Sequence, residues 1–300
     1  MEKNNFNKIA PLLVVCGAIV WGFQGIFVNW LCSFGFDSSQ SATLRCITAG
    51  ITMLVFMLIV RPKDLKINIK HLPLFLCAGI LGTLLTSQFY FKSIMLNGLT
   101  VSSILIYVEP AILMVLSAIL FKDKLTPLKL ISLLLAFTGC VFVCGVGTDS
   151  EITTVGIIFG LLSALTYALY SVFCVFLFKL GYGSLTVITY AMVFAGIGSI
   201  FTSDLGEIAG ILTGNNAIVY LSAFLTGFGT AVLPYGLYTT GLKGTKPSNA
   251  AIIAYIEPLT ATVAGILIYS EKPTLLTFLG IFLIVFSVII LNVKRNSNQN

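Results

Sequence analysis

Residues 106–126 read IYVEPAILMVLSAILFKDKLT, and residues 254–274 read AYIEPLTATVAGILIYSEKPT. Tyr107-Val108-Glu109-Pro110 thus returns as Tyr255-Ile256-Glu257-Pro258, 148 residues later in a chain of 300. The same offset pairs Tyr90 with Tyr238, Asp123-Lys124 with Glu271-Lys272, and Thr126 with Thr274, with no gap across that stretch. Each glutamate lies inside a long apolar run, where a carboxylate is unfavourable. A fixed internal period with an acidic residue near the middle of each copy describes one membrane-embedded module used twice, the layout of a secondary transporter.

Composition agrees. Hydrophobic residues make up 57% of the chain and charged residues 9%, against roughly 25% charged in a soluble domain. That leaves too little polar surface to cover a water-soluble globule. The net charge of +6 does not indicate nucleic acid, because the basic residues lie in short loops between apolar segments and read as topology signals. The seven cysteines are Cys16, Cys32, Cys46, Cys77, Cys140, Cys144 and Cys174, and His71 is the one histidine. No CxxC or Cys/His ligand spacing occurs. Cys140 and Cys144 share a helix face and would make half a metal site, but they also serve as small hydrophobes in a helix interface. No metal or other cofactor is expected. The apolar run 11–31 is longer than a signal-peptide core and lacks an A-x-A-like cleavage site, so it reads as a retained helix. No lipidation motif is visible at either end.

Ten stretches approach the roughly 20 apolar residues that span a bilayer. They run 11–31, 39–60, 72–92, 99–121, 127–145, 155–178, 184–203, 217–241, 248–269 and 274–293. Lipid offers no hydrogen-bond partners, and the runs lack the alternation of a membrane barrel, so all ten are expected as helices. With the N-terminus in the cytoplasm, the cytoplasmic segments collect 14 of 17 Lys and Arg residues; Lys92 and Lys272 fall outside and Arg45 lies within the second run. The outer loops carry Asp37, Asp149, Glu151, Asp204, Glu207 and Glu271. This asymmetry places both termini in the cytoplasm. The polar linker 146–154 (VGTDSEITT) separates residues 1–147 from 148–300, five helices each. Because five is odd, the second copy enters the membrane upside down. The expected fold class is therefore all-α integral membrane, with ten transmembrane helices in two inverted-topology five-helix repeats.

Glu109 and Glu257 have two readings. One is a proton carrier or a counter-charge for a cationic group. The other is structural: Pro110 and Pro258 donate no backbone hydrogen bond, so the carbonyls of Ile106 and Ala254 lose their usual partners, and a nearby carboxyl helps organise the kinked turn. Trp21, Gln24, Gln88, Tyr90, Tyr107, Tyr167, Tyr170, Tyr235, Tyr238 and Tyr255 all fall within helices. They suit the lining of a central cavity, whereas Trp30, Tyr220 and Tyr269, near helix ends, suit an interfacial belt. Arg45 is either an anion contact, a snorkelling cation or half of a buried pair, and Lys92 reads as snorkelling. Gly156 and Gly160 form a small-residue packing face. Gly196, Gly198, Gly227 and Gly229, with Pro234, would loosen helices that move. Walker A, HExxH and GxSxG sequences are all missing, so the chain has no motif for harnessing nucleotide hydrolysis.

The stretches from Tyr90 to Val143 and from Tyr238 to Leu291 resemble the EamA-type repeat of the drug/metabolite transporter superfamily, as do Trp21-Gly22 and the position of Arg45. The resemblance covers essentially the whole chain. It implies ten helices in two inverted repeats around a central cavity, both termini cytoplasmic, and a secondary carrier that often exports amino acids or other metabolites. It places Glu109-Pro110 and Glu257-Pro258 in the repeat motif and Trp21 and Tyr90 near the cavity. Two departures stand out. Lys122-Asp123-Lys124 occupies a turn where the family often has Gly-Glu followed by a basic or polar residue, and Lys92 stands where a small residue is usual.

The sequence-based expectation is a plasma-membrane or inner-membrane metabolite carrier working by alternating access. Its substrate-binding residues would be Trp21, Gln24, Gln88, Tyr90, Tyr107, Tyr238 and Tyr255, and Arg45 would contact an anionic group. Glu109, Pro110, Glu257 and Pro258 would serve proton coupling or the helix kink. Expected partners are a small-molecule substrate, the lipid bilayer and H+, with no nucleic acid; oligomeric state is left open. Import, a lipid-linked substrate, and a membrane enzyme using Glu109 and Glu257 as acid and base are the rivals.

Overall fold

The computed structural model of the chain describes residues 2–144, 152–214, 217–269 and 272–297. The repeat boundary at 147/148, most of the acidic linker, and Glu271 lie outside the described residues. Among the described residues there is no strand. Eleven apolar helices form the bundle among the described residues: α1 (Phe6–Cys32), α2 (Ser39–Val60), α3 (Ile69–Gly98), α4 (Thr100–Phe121), α5 (Pro127–Cys144), α6 (Thr154–Lys179), α7 (Ser184–Ser199), α8 (Leu205–Gly214), α9 (Ile218–Gly244), α10 (Pro247–Ile268) and α11 (Leu275–Leu291). Eight are long and apolar enough to cross a membrane, while α7, α8 and α11 are shorter.

Ten of these helices coincide with the ten expected stretches. The addition is α8, which falls in a stretch expected as outer loop. Asp204 caps its start, accepting from the Gly206 and Glu207 amides at 2.7 and 3.2 Å. Its one buried side chain, Ile208, packs among Leu31, Phe36, Leu44 and Val219. Ile211 and Leu212 of the same helix pack on this cluster too, and with the cap they hold ten residues as a helix on the end of the bundle.

The packing follows an exchange of the two repeats. α1 packs on α9 and α10, and its counterpart α6 packs on α3 and α4. α2 packs on its own counterpart α7, and α5 on its own counterpart α11. Elements that meet their own copies mark a pseudo-two-fold axis, and with five counterpart helices per copy, α8 being extra and short, the copies are inverted. The α5–α11 contact is close enough to need glycine: a Cβ on Gly280 would lie 2.6 Å from the Gly139 carbonyl oxygen.

Irregular backbone is duplicated too. α3 contains a π-helical stretch, Cys77–Leu84, and α9 contains one at Phe228–Val232. Both end at residues 148 apart. Wide turns leave carbonyls poorly paired, and threonine hydroxyls cover them: Thr83 donates to the Ala78 carbonyl at 3.2 Å and Thr230 to the Thr226 carbonyl at 2.7 Å. α4 breaks at Tyr107-Val108 and restarts at Glu109, and α10 breaks at Tyr255. Pro110 therefore sits in a first helical turn, where its missing N–H costs nothing, instead of kinking a continuous helix. Each glutamate likewise lies in a first turn, where the helix dipole favours negative charge.

The loops 61–71, 122–126 and 180–183 share one end of the bundle with Lys243 and Lys246, and together they make it lysine-rich. The Tyr182 hydroxyl ties this end together, meeting His71 Nδ1 at 2.8 Å and accepting from the Asn68 amide at 3.0 Å. At the opposite end, the Asn97 side chain accepts from the Thr153 amide and hydroxyl at 2.8 Å each. Gly156 and Gly160 press against Asn97, Leu105 and Ser93 there, the packing role expected of them. Lys92 is exposed, with its ammonium 5.2 Å from the centre of the Phe159 ring.

Candidate functional site

The breaks in α1, α4 and α10 converge on a cavity of about 360 Å³. Helix α1 contributes Trp21, Gln24, Gly25, Val28 and Asn29; α2 contributes Ser41, Ala42 and Arg45; α3 contributes Thr86, Ser87, Tyr90, Phe91 and Ile94. Ile106 and Tyr107 come from α4, Tyr167 from α6, Tyr235 from α9 and Glu257 from α10. The cavity runs from the helix breaks toward the end opposite the lysine-rich loops.

Its floor is aromatic. The Trp21 ring meets Tyr235 edge-on at 4.9 Å and Tyr238 at 5.3 Å, and Tyr235 meets Tyr170 edge-on at 5.1 Å. Polar tips beneath are satisfied: the Tyr238 hydroxyl meets Ser171 at 2.9 Å and the Tyr170 hydroxyl meets Thr239 at 2.7 Å. Trp21 is 4% exposed. This plug separates the cavity from the lysine-rich end.

Two opposite charges line the same space. Arg45 Nη1 donates to the Gln24 side-chain oxygen Oε1 at 3.3 Å, and its buried Nε has no hydrogen-bond partner. The Glu257 carboxylate faces the Tyr107 hydroxyl. Among the described residues the ion pairs are Arg61–Asp64, Lys129–Asp123 and Lys246–Asp123, so Arg45 and Glu257 share the cavity without a direct ion pair. A guanidinium and a carboxylate held apart in a partly apolar space present complementary contacts to a solute carrying both signs of charge.

Of the residues expected at the site, Trp21, Gln24, Tyr90, Tyr107, Arg45 and Glu257 line this cavity. Gln88 does not: its amide donates to the Thr202 hydroxyl at 3.0 Å. Tyr238 lies in the floor beneath Trp21. Tyr255 is buried with Ala136, Cys140 and Ile284, and donates to the Tyr107 carbonyl at 2.6 Å. Glu109, Pro110 and Pro258 are buried outside the lining, and Glu109 Oε1 has no hydrogen-bond partner. The two glutamates, equal in the repeat, are thus unequal in the fold. Asn29, Ser41, Thr86 and Ser87 add polar lining that no motif announced. Their one signal was position, within a turn or two of Gln24, Arg45 and Tyr90.

A sequence profile of the EamA-like transporter family matches residues 8–145 and 154–293. Among similar proteins are an uncharacterized transporter, YvbV, of Bacillus subtilis (strain 168), 25% identical with 96% of this chain and 93% of that protein covered, and an uncharacterized transporter of Archaeoglobus fulgidus, 26% identical with 92% and 94% covered. One crystal structure shares the fold with a TM-score of 0.75 at 17% identity, covering 95% of this chain and 97% of that one. The chain is an integral membrane protein and belongs to the EamA-like transporter family.

Proposed function

We propose that this protein is a secondary-active carrier of a small zwitterionic metabolite, an amino acid or similar solute, working by alternating access. The observation that carries this reading is the shared lining of one cavity by Arg45 and Glu257 without an ion pair between them. The Arg45 guanidinium is the contact for a carboxylate, and Glu257 with the faces of Trp21 and Tyr90 is the seat for an ammonium group. A cavity of about 360 Å³ lies at the small end of the roughly 300–1,000 Å³ range of ligand pockets.

We place the protein in the plasma (inner) membrane with both termini in the cytoplasm, because the lysine-rich end is then cytoplasmic. The cavity then faces outward. Residues 1–147 and 148–300 act as the two repeats whose exchange of shape carries the solute across. The family resemblance favours export as the direction. Glu257, the carboxylate in the cavity, is the proton site, and Glu109 is a packing element.

The test is a thermal-shift screen of detergent-purified protein against amino acids, purines, vitamins, polyamines and organic acids, followed by flux in proteoliposomes. A zwitterion that raises the melting temperature by mass action, with the shift lost in Arg45→Ala and in Glu257→Gln, supports the reading. Binding of a solute carrying one sign of charge only, unaffected by one of these substitutions, refutes the zwitterion assignment. The direction of flux down an imposed proton gradient decides between export and import. If Glu109→Gln and Glu257→Gln, singly and together, leave pH-gradient-driven transport intact, proton coupling through them is wrong.

A further inference from the structure

Away from the cavity, at the lysine-rich end, a charged cluster is buried where the two repeats meet. Lys129, at the start of α5, is 6% exposed and Asp123, in the turn after α4, is 8% exposed. The Lys129 ammonium donates to both Asp123 oxygens at 2.7 Å and to the Ser248 hydroxyl at 2.8 Å. Ser248 in turn donates to the second Asp123 oxygen. Lys246 approaches the first Asp123 oxygen at 3.5 Å. Asp123 and Lys129 belong to the first repeat, and Lys246 and Ser248 belong to the second, at the start of α10. Three contacts therefore cross between the repeats: Lys129 to Ser248, Ser248 to Asp123, and Lys246 to Asp123.

The opposite end cannot form the same cluster. At the 148-residue offset, Lys129 corresponds to Thr277, Lys246 to Gly98, Ser248 to Thr100 and Asp123 to Glu271. The acid is kept and both cations are gone. Thr277 instead serves its own helix start, its hydroxyl lying 3.0 Å from that of Thr274. A scaffold element would be duplicated with the scaffold; among the described residues this one is present at one end only.

We propose that Asp123, Lys129 and Ser248 form a one-ended latch that ties the two repeats together at the lysine-rich end and biases the resting protein toward the state with the cavity open at the other end. Opening the lysine-rich end separates α10 from the α4–α5 turn. Lys129 and Asp123 then lose Ser248, a partner that a buried charge pair needs for its remaining hydrogen bonds. The opposite end is crossed by hydrogen bonds, among them Gln40 to Glu207, Gln88 to Thr202 and Thr153 to Asn97, but among the described residues by no buried ion pair, so the charged tie acts at one end. This inference rests on alternating access but not on the identity of the solute.

Hydrogen–deuterium exchange of the protein in lipid nanodiscs, without added solute, tests it. Ser248→Ala cuts the crossing between repeats and leaves the Asp123–Lys129 pair in place; the Asp123→Asn, Lys129→Met double variant removes both charges while keeping their bulk. The expected result in both variants is roughly tenfold faster exchange in residues 118–131 and 244–253. It is accompanied by slower exchange in residues 25–33 and 86–97, as the far end closes. Faster exchange near the cluster with no change at residues 25–33 and 86–97 overturns the latch and leaves a local staple. If the double variant fails to fold, Ser248→Ala alone decides. Solute binding through Arg45 and Glu257 is scored separately by the thermal-shift screen, so failure here leaves that reading standing.

Discussion

The hydroxyl of Tyr255 donates a 2.6 Å hydrogen bond to the backbone carbonyl of Tyr107, its own counterpart 148 residues earlier. Equivalent residues of two repeats touch only near the axis that relates them, so this bond marks the centre of the inverted pair. The carbonyl is available because α4 breaks there: the Ala111 amide, its regular helical partner, bonds Val108 instead at 3.0 Å. The two rings lie 6.0 Å apart.

Removing that donor has a defined cost. Tyr255→Phe leaves a carbonyl without its partner at the break and is expected to lower stability by about 1–3 kcal/mol. Tyr107→Phe keeps the backbone carbonyl, and so keeps this bond, but deletes the hydroxyl that faces Glu257. Melting in detergent should therefore separate the pair: a clear drop for Tyr255→Phe and a smaller one for Tyr107→Phe, with solute affinity falling more in the latter. Equal effects in both assays would contradict the division of roles.

The two glutamates should also part company. Glu109 is 4% exposed and its Oε1 has no hydrogen-bond partner, so an isosteric amide removes no contact on that side. Glu109→Gln is expected to change stability by less than about 1 kcal/mol and to retain most transport. Glu257→Gln removes the carboxylate from the cavity and is expected to abolish solute binding in the thermal-shift assay. The reverse ranking would make Glu109 the working carboxylate.

Lys122 holds φ at 54° and is exposed, a left-handed backbone for a residue with a Cβ. Left-handed conformation costs about 1–2 kcal/mol for such a residue, offset in part by the greater chain entropy that glycine loses on folding. Lys122→Gly is therefore expected to stabilise by roughly 0.5–1 kcal/mol, seen as a higher melting temperature. This is also why the departure from Gly-Glu at this turn leaves the fold intact: the strain is small and confined to one residue.

Much of this architecture was legible because repetition is a signal that survives in sequence. The 148-residue offset, the Glu-Pro pairs and the apolar runs identified the helices and their inverted arrangement. The cavity was harder to read, because its polar lining breaks the repeat. At the 148-residue offset that relates α3 to α9, Thr86 corresponds to Pro234 and Ser87 to Tyr235. Tyr238 and Tyr255 drew notice as repeated residues, and both sit off the cavity lining, in floor and scaffold. Helix α8 escaped because its ten residues fall far short of the roughly 20 that span a bilayer, so the stretch read as outer loop. The π-helical stretches escaped because their cause is a register shift in the backbone, which leaves no distinctive residue type behind.

Acid should act on the lysine-rich end in a narrow window. Asp123 lies in the turn between α4 and α5. Burial pushes its carboxyl up, but hydrogen bonds from Lys129 and Ser248 and the charges of Lys129 and Lys246 outweigh that and hold it below the usual carboxylate value. A carboxyl whose value is lower in the folded state stabilises fully above the unfolded value, about 3.9 for aspartate. That stabilisation is lost as pH falls through the lowered folded value. Between pH 5 and 8 Asp123 therefore stays ionised and contributes a constant amount, so any change in transport across that range originates elsewhere. Melting curves of the wild-type protein and Asp123→Asn should run parallel from about pH 8 to pH 5 and converge only below about pH 4. Convergence already near pH 6 would mean that Asp123 is not held ionised by its partners, and that the cluster is weaker than its distances imply.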